Sequence, residues 1–270
     1  KPLYQRALIV FGGPLANFLL AILIFFSVYT FAGKDFTPAV INEVQKNSPA
    51  MVAGLKNKDI IVSIDGNKVK SIMEVSKFIM MSTDEIINFT VNRYDQDLIF
   101  RVKPNLVESE DSLGNKMTKR MVGIKLGAYN NEVNHVKLNP AKALFYAVNE
   151  VYYVSVSSLK YIGSMIAGSG DSSQLGGPIR IAKISGQVAE FGILPFISLM
   201  AYISISLGLI NLFPIPMLDG GHLMFYSIEK ILGRPLSQKV QEGFFRIGMF
   251  LLLSLMFFTT FNDIKDLGLF

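Results

Sequence analysis

Residues 211–222 read NLFPIPMLDGGH, a polar, proline-spaced string set between long apolar runs. Pro214 and Pro216 lack an amide donor and cannot continue a regular helix. A helix broken at membrane depth is tolerated only inside protein or beside a water-filled cavity. Asp219 would be costly against lipid, so it calls for a cavity, a cation or a partner. Gly220 and Gly221 allow a turn or a close backbone approach. Two readings stand side by side. One is a metal or polar-substrate site cut into a helix bundle; the other is a loop just outside the membrane carrying a solvated aspartate.

Other donors are scarce. The chain has no cysteine, which excludes disulfides, thiolate nucleophiles and cysteine metal sites, and it has two histidines, His135 and His222. His222 follows Asp219 by three positions and reads as structural. Glu132 and His135 have E-x-x-H spacing but lie in a polar region with no second histidine, so they read as surface residues.

The elements that must position these groups follow from hydropathy. Half of the 270 residues are hydrophobic and 17% are charged, too apolar for an ordinary soluble domain. The net charge of +5 is not gathered into a patch that would bind nucleic acid. Residues 7–33 run without a charge, longer than the roughly 20 residues that cross a bilayer. Residues 193–213 and 244–261 are two further apolar stretches, the first ending at the proline string. Lys1 and Arg6 precede the first span, and Lys230, Arg234, Lys239 and Arg246 fall around the loop between the other two. If each stretch crosses once, both sets share one side, which the positive-inside rule makes the cytoplasm.

The expected organisation is a span in 1–33, a polar α+β domain in 34–139, an amphipathic helix and Gly-rich loop in 140–192, and two spans in 193–270. In the polar domain AVINEV, IIVSI, IINFTVNR and DLIFRVK read as strands, with a turn at YDQD. SPAMVAG and SIMEVSKFIM read as helices, and 106–119 as a polar loop. The helix from residue 140 lies at the membrane surface or packs on the polar domain.

These residues carry a resemblance. Asn211, Pro214, Pro216, Leu218, Asp219, Gly220 and Gly221 match N-x-x-P-x-P-x-L-D-G-G, a block of the site-2 protease family. YQRALIVFGGPLANFLLAI resembles the family's second-span block, which carries G-P-x-x-N, here Gly13, Pro14 and Asn17. LGGPIRIAKISGQVAEFG resembles the segment before the third span. NSPAMVAGLKNKDIIVSIDGNKV resembles a PDZ domain, with Lys58 where glycine is usual. The chain is most similar to the bacterial regulator-of-sigma-E type.

The resemblance implies a multi-span α-helical membrane protein with an inserted, circularly permuted PDZ-like domain on the periplasmic side of the bacterial inner membrane. It implies a zinc protease cutting single-span membrane proteins, such as anti-sigma factors, in regulated intramembrane proteolysis. Asp219 would be a zinc ligand, and Asn211, Pro214 and Pro216 would bind substrate. Gly13, Pro14, Asn17, Gly220 and Gly221 would support the site. KRMVGIKLG would form the peptide groove, lined by Met121, Val122, Gly123 and Ile124. The family's other zinc ligands and its general base come from H-E-x-x-H, which these 270 residues do not contain. The expectation is a C-terminal part of such a protease, inactive by itself. The alternatives are a membrane-anchored PDZ scaffold or pseudoprotease, and a transporter-like protein with an ion at its broken helix.

Overall fold

The computed structural model describes residues 2–110, 116–128, 134–168 and 176–266. Glu132 and most of the Gly/Ser-rich loop at 168–178 lie outside the described residues. The chain divides into two compact units, one of residues 1–32, 139–155 and 175–270, the other of 33–138 and 156–174.

The first unit is helical: α1 (Leu3–Phe31), the first part of α4 (Pro140–Ile166), α5 (Pro178–Glu190), α6 (Ile193–Leu212), α7 (Asp219–Leu232) and α8 (Gln238–Asp266). Three of the described helices, α1, α6 and α8, are long and apolar enough to cross a membrane. Their apolar side chains are not consumed by the protein. Leu8, Ile9, Leu19 and Leu23 on α1 and Phe250, Leu253 and Phe257 on α8 are all largely exposed. A helix apolar all round yet unburied in its own fold has lipid as its remaining apolar solvent.

Helices α1 and α6 pack closely, because small groups let their backbones approach. A Cβ on Gly208 would lie 3.1 Å from the Phe18 ring and 3.3 Å from the Cβ of Asn17. The Ser204 hydroxyl donates to the Asn17 carbonyl at 2.9 Å, an interhelical bond suited to an apolar medium. Farther along α1, Phe25 stacks with Tyr29 and meets Tyr202 edge-on. The Tyr202 hydroxyl donates to Glu150 of α4 at 2.9 Å. Helix α5 begins with Pro178 after Gly177, and its first amides are satisfied from α8: the buried Asp263 accepts from the N–H groups of Gly177 and Arg180.

The second unit is a mixed α+β structure. Strands β2 (Val40–Val44), β3 (Ile60–Ile64), β5 (Ile87–Arg93), β6 (Gln96–Val102) and β9 (Ile124–Gly127) form an antiparallel sheet in the order β6-β5-β3-β2-β9, with the short β4 (Asn67–Lys68) beside β3. β1 (Lys34–Asp35) pairs with β10 (His135–Val136). Ile87, Phe89 and Val91 alternate inward from β5, against Ile61 and Ile64 of β3 and Val75 and Phe78 of α3 (Ile72–Met81) in the buried core. The turn joining β5 to β6 is tighter than the four residues YDQD: Arg93 pairs with Gln96, and Tyr94 and Asp95 both take positive φ. The short α2 (Pro49–Ala53) is capped by the Ser48 hydroxyl and closed by Gly54 in the left-handed region.

The loop expected at 106–119 is instead largely a hairpin. β7 (Asn105–Glu110) pairs with β8 (Lys116–Met121) as a separate sheet. Leu106, at its base, is 72% exposed, so the hairpin forms without burying an apolar face there. That is why no hydrophobic alternation announced it.

Candidate functional site

The proline string is a genuine break. Helix α6 ends at Leu212, and Phe213 to Leu218 turn tightly, with Ile215 N–H donating to the Phe213 carbonyl at 2.7 Å and Leu218 N–H to Ile215 at 3.0 Å. Pro216 is buried and Pro214 exposed. Met217 sits at φ 93°, a costly conformation for a residue with a side chain.

The two glycines after Asp219 are helical, and their lack of side chains is what matters. A Cβ on Gly220 would overlap the carbonyls of Leu212 and Phe213, and one on Gly221 would overlap that of Ile215. The first turn of α7 therefore lies directly on the carbonyls of the break. Asp219 stands in that turn, where the helix dipole favours a negative charge.

On α1, a Cβ added to Gly13 would come 2.8 Å from Asp219 Oδ2, whereas Gly12 has nothing within 4 Å. Gly13 thus opens the space that the carboxylate fills. Pro14 is buried beside it. Asn17, one turn on, touches α6 through its backbone and Cβ. Asn211 is half-buried in the last turn of α6. The structure brings the G-P-x-x-N residues of α1 and the Asp219 block into one packed region, with a carboxylate that forms no ion pair among the described residues.

Sequence reasoning missed Gly248. On α8, a Cβ at Gly248 would overlap the Pro216 carbonyl oxygen and come 2.8 Å from the proline ring. The third span therefore meets the break backbone to backbone. A glycine inside an apolar run was the visible signal.

The four residues expected to line a groove are divided by the structure. Met121 ends β8 and is exposed, whereas Val122 is 4% exposed and its carbonyl accepts from Ala50 N–H. Gly123 takes φ +80°, its carbonyl accepts from Gln45 N–H, and a side chain there would strike Ser48. Ile124 opens β9, the end strand of the sheet.

A catalytic zinc takes three protein ligands and a water. Among the described residues no three His, Cys, Asp or Glu side chains converge. Asp219 offers one carboxylate. His222 packs against the rings of Phe225 and Phe245, and His135 lies in β10. The described residues alone do not fit a complete zinc site.

The profile of peptidase family M50 matches residues 1–255. The chain belongs to this family, that of the site-2 proteases. Its relatives include a protein of Agrobacterium fabrum that bears the name of a zinc metalloprotease, 42% identical over 98% of this chain and 70% of that protein. The metalloprotease MmpA of Caulobacter vibrioides is 30% identical over all of this chain and 71% of its own length. Among solved structures, the PDZ domain of an SdrC-like protein from Listeria monocytogenes covers 34% of this chain and 88% of that domain, at 21% identity and a TM-score of 0.28. The M50 assignment makes this a metalloprotease homologue of the membrane, without a grouped metal-ligand set among its described residues.

Proposed function

We propose that the chain serves regulated intramembrane proteolysis of single-span membrane proteins, of which an anti-sigma factor already trimmed outside the membrane is the type. The observation that carries this reading is the Asp219 carboxylate, unpaired among the described residues, at a helix break and against Gly13. In this reading Asp219 is one zinc ligand, and the remaining donors lie outside the described residues. A zinc held there would supply a water of lowered pKa and a charge that polarises a carbonyl. The chain's own residues do the rest. Asn211 offers an amide donor and acceptor to the backbone of an unwound substrate strand, and Pro214 and Pro216 keep the adjacent wall from closing into helix. Pro14 and Asn17 seat α1 on α6, and Gly220 and Gly221 seat Asp219 on the break.

The α+β unit is proposed to be a permuted PDZ-like domain on the periplasmic side of the inner membrane. The place of β9 at the end of its sheet supports a groove that accepts a peptide by strand addition, with Met121, Val122, Gly123 and Ile124 at its start. The orientation is supported by an ion pair between Arg6 and Glu229. It puts the start of α1 and the end of α7 at one level, as a shared cytoplasmic side requires.

A non-catalytic, membrane-anchored scaffold is the second reading, favoured by one observation, the place of β9 at the end of its sheet, where a peptide could add. Asp219→Asn and Asn211→Ala in the full-length protein, in native membranes with a single-span substrate, separate the two. The protease reading expects Asp219→Asn to cut cleavage by more than about 100-fold, beyond what loss of an outer-shell partner causes. Asn211→Ala should retain measurable cleavage at reduced rate. Undiminished cleavage in Asp219→Asn sinks the ligand assignment. Substrate retained without cleavage by the unmutated protein favours the scaffold.

A further inference from the structure

We propose that Arg6 and Glu229 form a clasp that sets the position of α7 along α1, and through it the position of Asp219. This deepens the reading of Asp219 as a site residue and rests on it for its functional meaning. Arg6 Nη2 and Glu229 Oε1 are 2.5 Å apart, and the guanidinium lies over the Tyr226 ring, 5.1 Å from its centre. An early residue of α1 thus meets late residues of α7, while Gly13 farther along α1 meets Asp219 at the start of α7. The two helices are antiparallel and touch at two marked points. Those points are about 10 Å apart along α1 and about 15 Å apart along α7 at helical rise, a difference that the long arginine and glutamate side chains span.

The Asp219 end has room but little grip. Gly13 admits the carboxylate without holding it, and apolar packing is non-directional. The segment before Asp219 turns sharply and includes the strained Met217. A directional, charge-assisted bond is what fixes one helix's position along another. The Arg6 side chain is 36% exposed, yet not all of its donors reach water. Its Nε is buried without a partner, so the guanidinium has been drawn down onto Tyr226 and Glu229.

The chain has no cysteine, so engineered pairs report cleanly. Gly13→Cys with Asp219→Cys reads the position of α7 on α1. Asn17→Cys with Gly208→Cys reads α1 on α6, since a Cβ at 208 would stand 3.3 Å from that of Asn17. Oxidative crosslinking of each pair in membranes is compared with and without Glu229→Gln. That change removes no lysine or arginine and leaves the orientation signal intact. The clasp predicts that Glu229→Gln slows the 13–219 crosslink by about fivefold, leaves 17–208 unchanged, and that Arg6→Glu with Glu229→Arg restores the first. An unchanged 13–219 rate overturns it. So does an equal fall in both pairs, which would make Glu229 a support of the whole bundle. Neither result depends on whether Asp219 binds metal, which the cleavage assay with Asp219→Asn decides separately.

Discussion

The helical unit and the α+β unit solve opposite problems with opposite means. In the helical unit, contact is made by leaving atoms out: Gly13, Gly220, Gly221 and Gly248 each stand where a side chain would collide with a neighbour, and at Gly208 one would be tight. Polar bonds join its helices at separate points, as with Ser204 to Asn17, Tyr202 to Glu150 and Arg6 to Glu229. In the α+β unit, contact is made by putting charge in. Asp59 is 1% exposed and pairs with Arg93 through both oxygens, at 2.6 and 2.7 Å. Arg93 also donates to the Gly54 carbonyl and lies over Phe100, and Asp59 accepts from Lys56 N–H. A helix surrounded by lipid gains nothing from burying more apolar surface, so it gains from close backbone approach. A small domain in water gains its order from a core plus a fully satisfied buried polar network.

The comparison breaks first at Asp59. Asp59→Ala leaves the part-buried Arg93 guanidinium without its carboxylate and the Lys56 N–H without its acceptor, and should cost the α+β unit about 3 kcal/mol. Limited proteolysis of the intact protein, reading cuts within 33–138, measures it. The helical unit should be untouched, and cleavage spread into α6 or α8 would mean that the two units do not differ as described.

Glycine pairs sharpen the other side, each with its own control. Gly248→Ala forces α8 away from Pro216 and should destabilise by about 1–3 kcal/mol, the cost of overpacking. Gly243 is on the same helix with nothing within 4 Å. Gly243→Ala should stabilise by roughly 0.5–1 kcal/mol through helix propensity. Opposite signs in detergent thermal melts support close approach as the binding principle; equal signs reduce both to propensity. Gly13→Ala against Gly12→Ala repeats the contrast at Asp219. The expected loss is smaller, because the atom in the way is the end of an aspartate side chain rather than backbone. It should appear in substrate cleavage before it appears in stability.

Much of this was legible in the residues and some was not, for definite reasons. The spans were legible because a bilayer demands long uncharged runs. β5 and β6 were legible because one face is buried, so their residues alternate. The β7–β8 hairpin was not, because its exposed Leu106 and Val107 leave no such pattern. α5 carried a start signal, Gly177 followed by Pro178, that was not used. At the site, Asp219, Pro214 and Pro216 stood out by chemical type against an apolar background. Gly248 and Glu229 did not, since a glycine in an apolar helix and a glutamate beside a lysine are ordinary in sequence. Their roles depend on neighbours far away in the chain.

The smallest effect tests whether charge alone, or burial of charge, distinguishes the α+β unit. Lys103 and Glu85 form a 2.5 Å pair as close as that of Asp59 with Arg93, but both side chains are mostly exposed. The hydrogen bond from Lys103, and then its charge, hold the Glu85 carboxyl below the usual carboxylate range. A carboxyl lowered in the folded state contributes stability above its ordinary range, and that contribution is lost as the pH falls from the ordinary range through the lowered folded value. Solvent screens this pair almost completely. Glu85→Gln should therefore leave proteolytic resistance at neutral pH unchanged within measurement scatter, and the variant and parent should coincide fully in acid. A clear neutral-pH loss that vanishes in acid would show an exposed pair acting like a buried one. The contrast between the units would then rest on the number of charges, not on where they are placed.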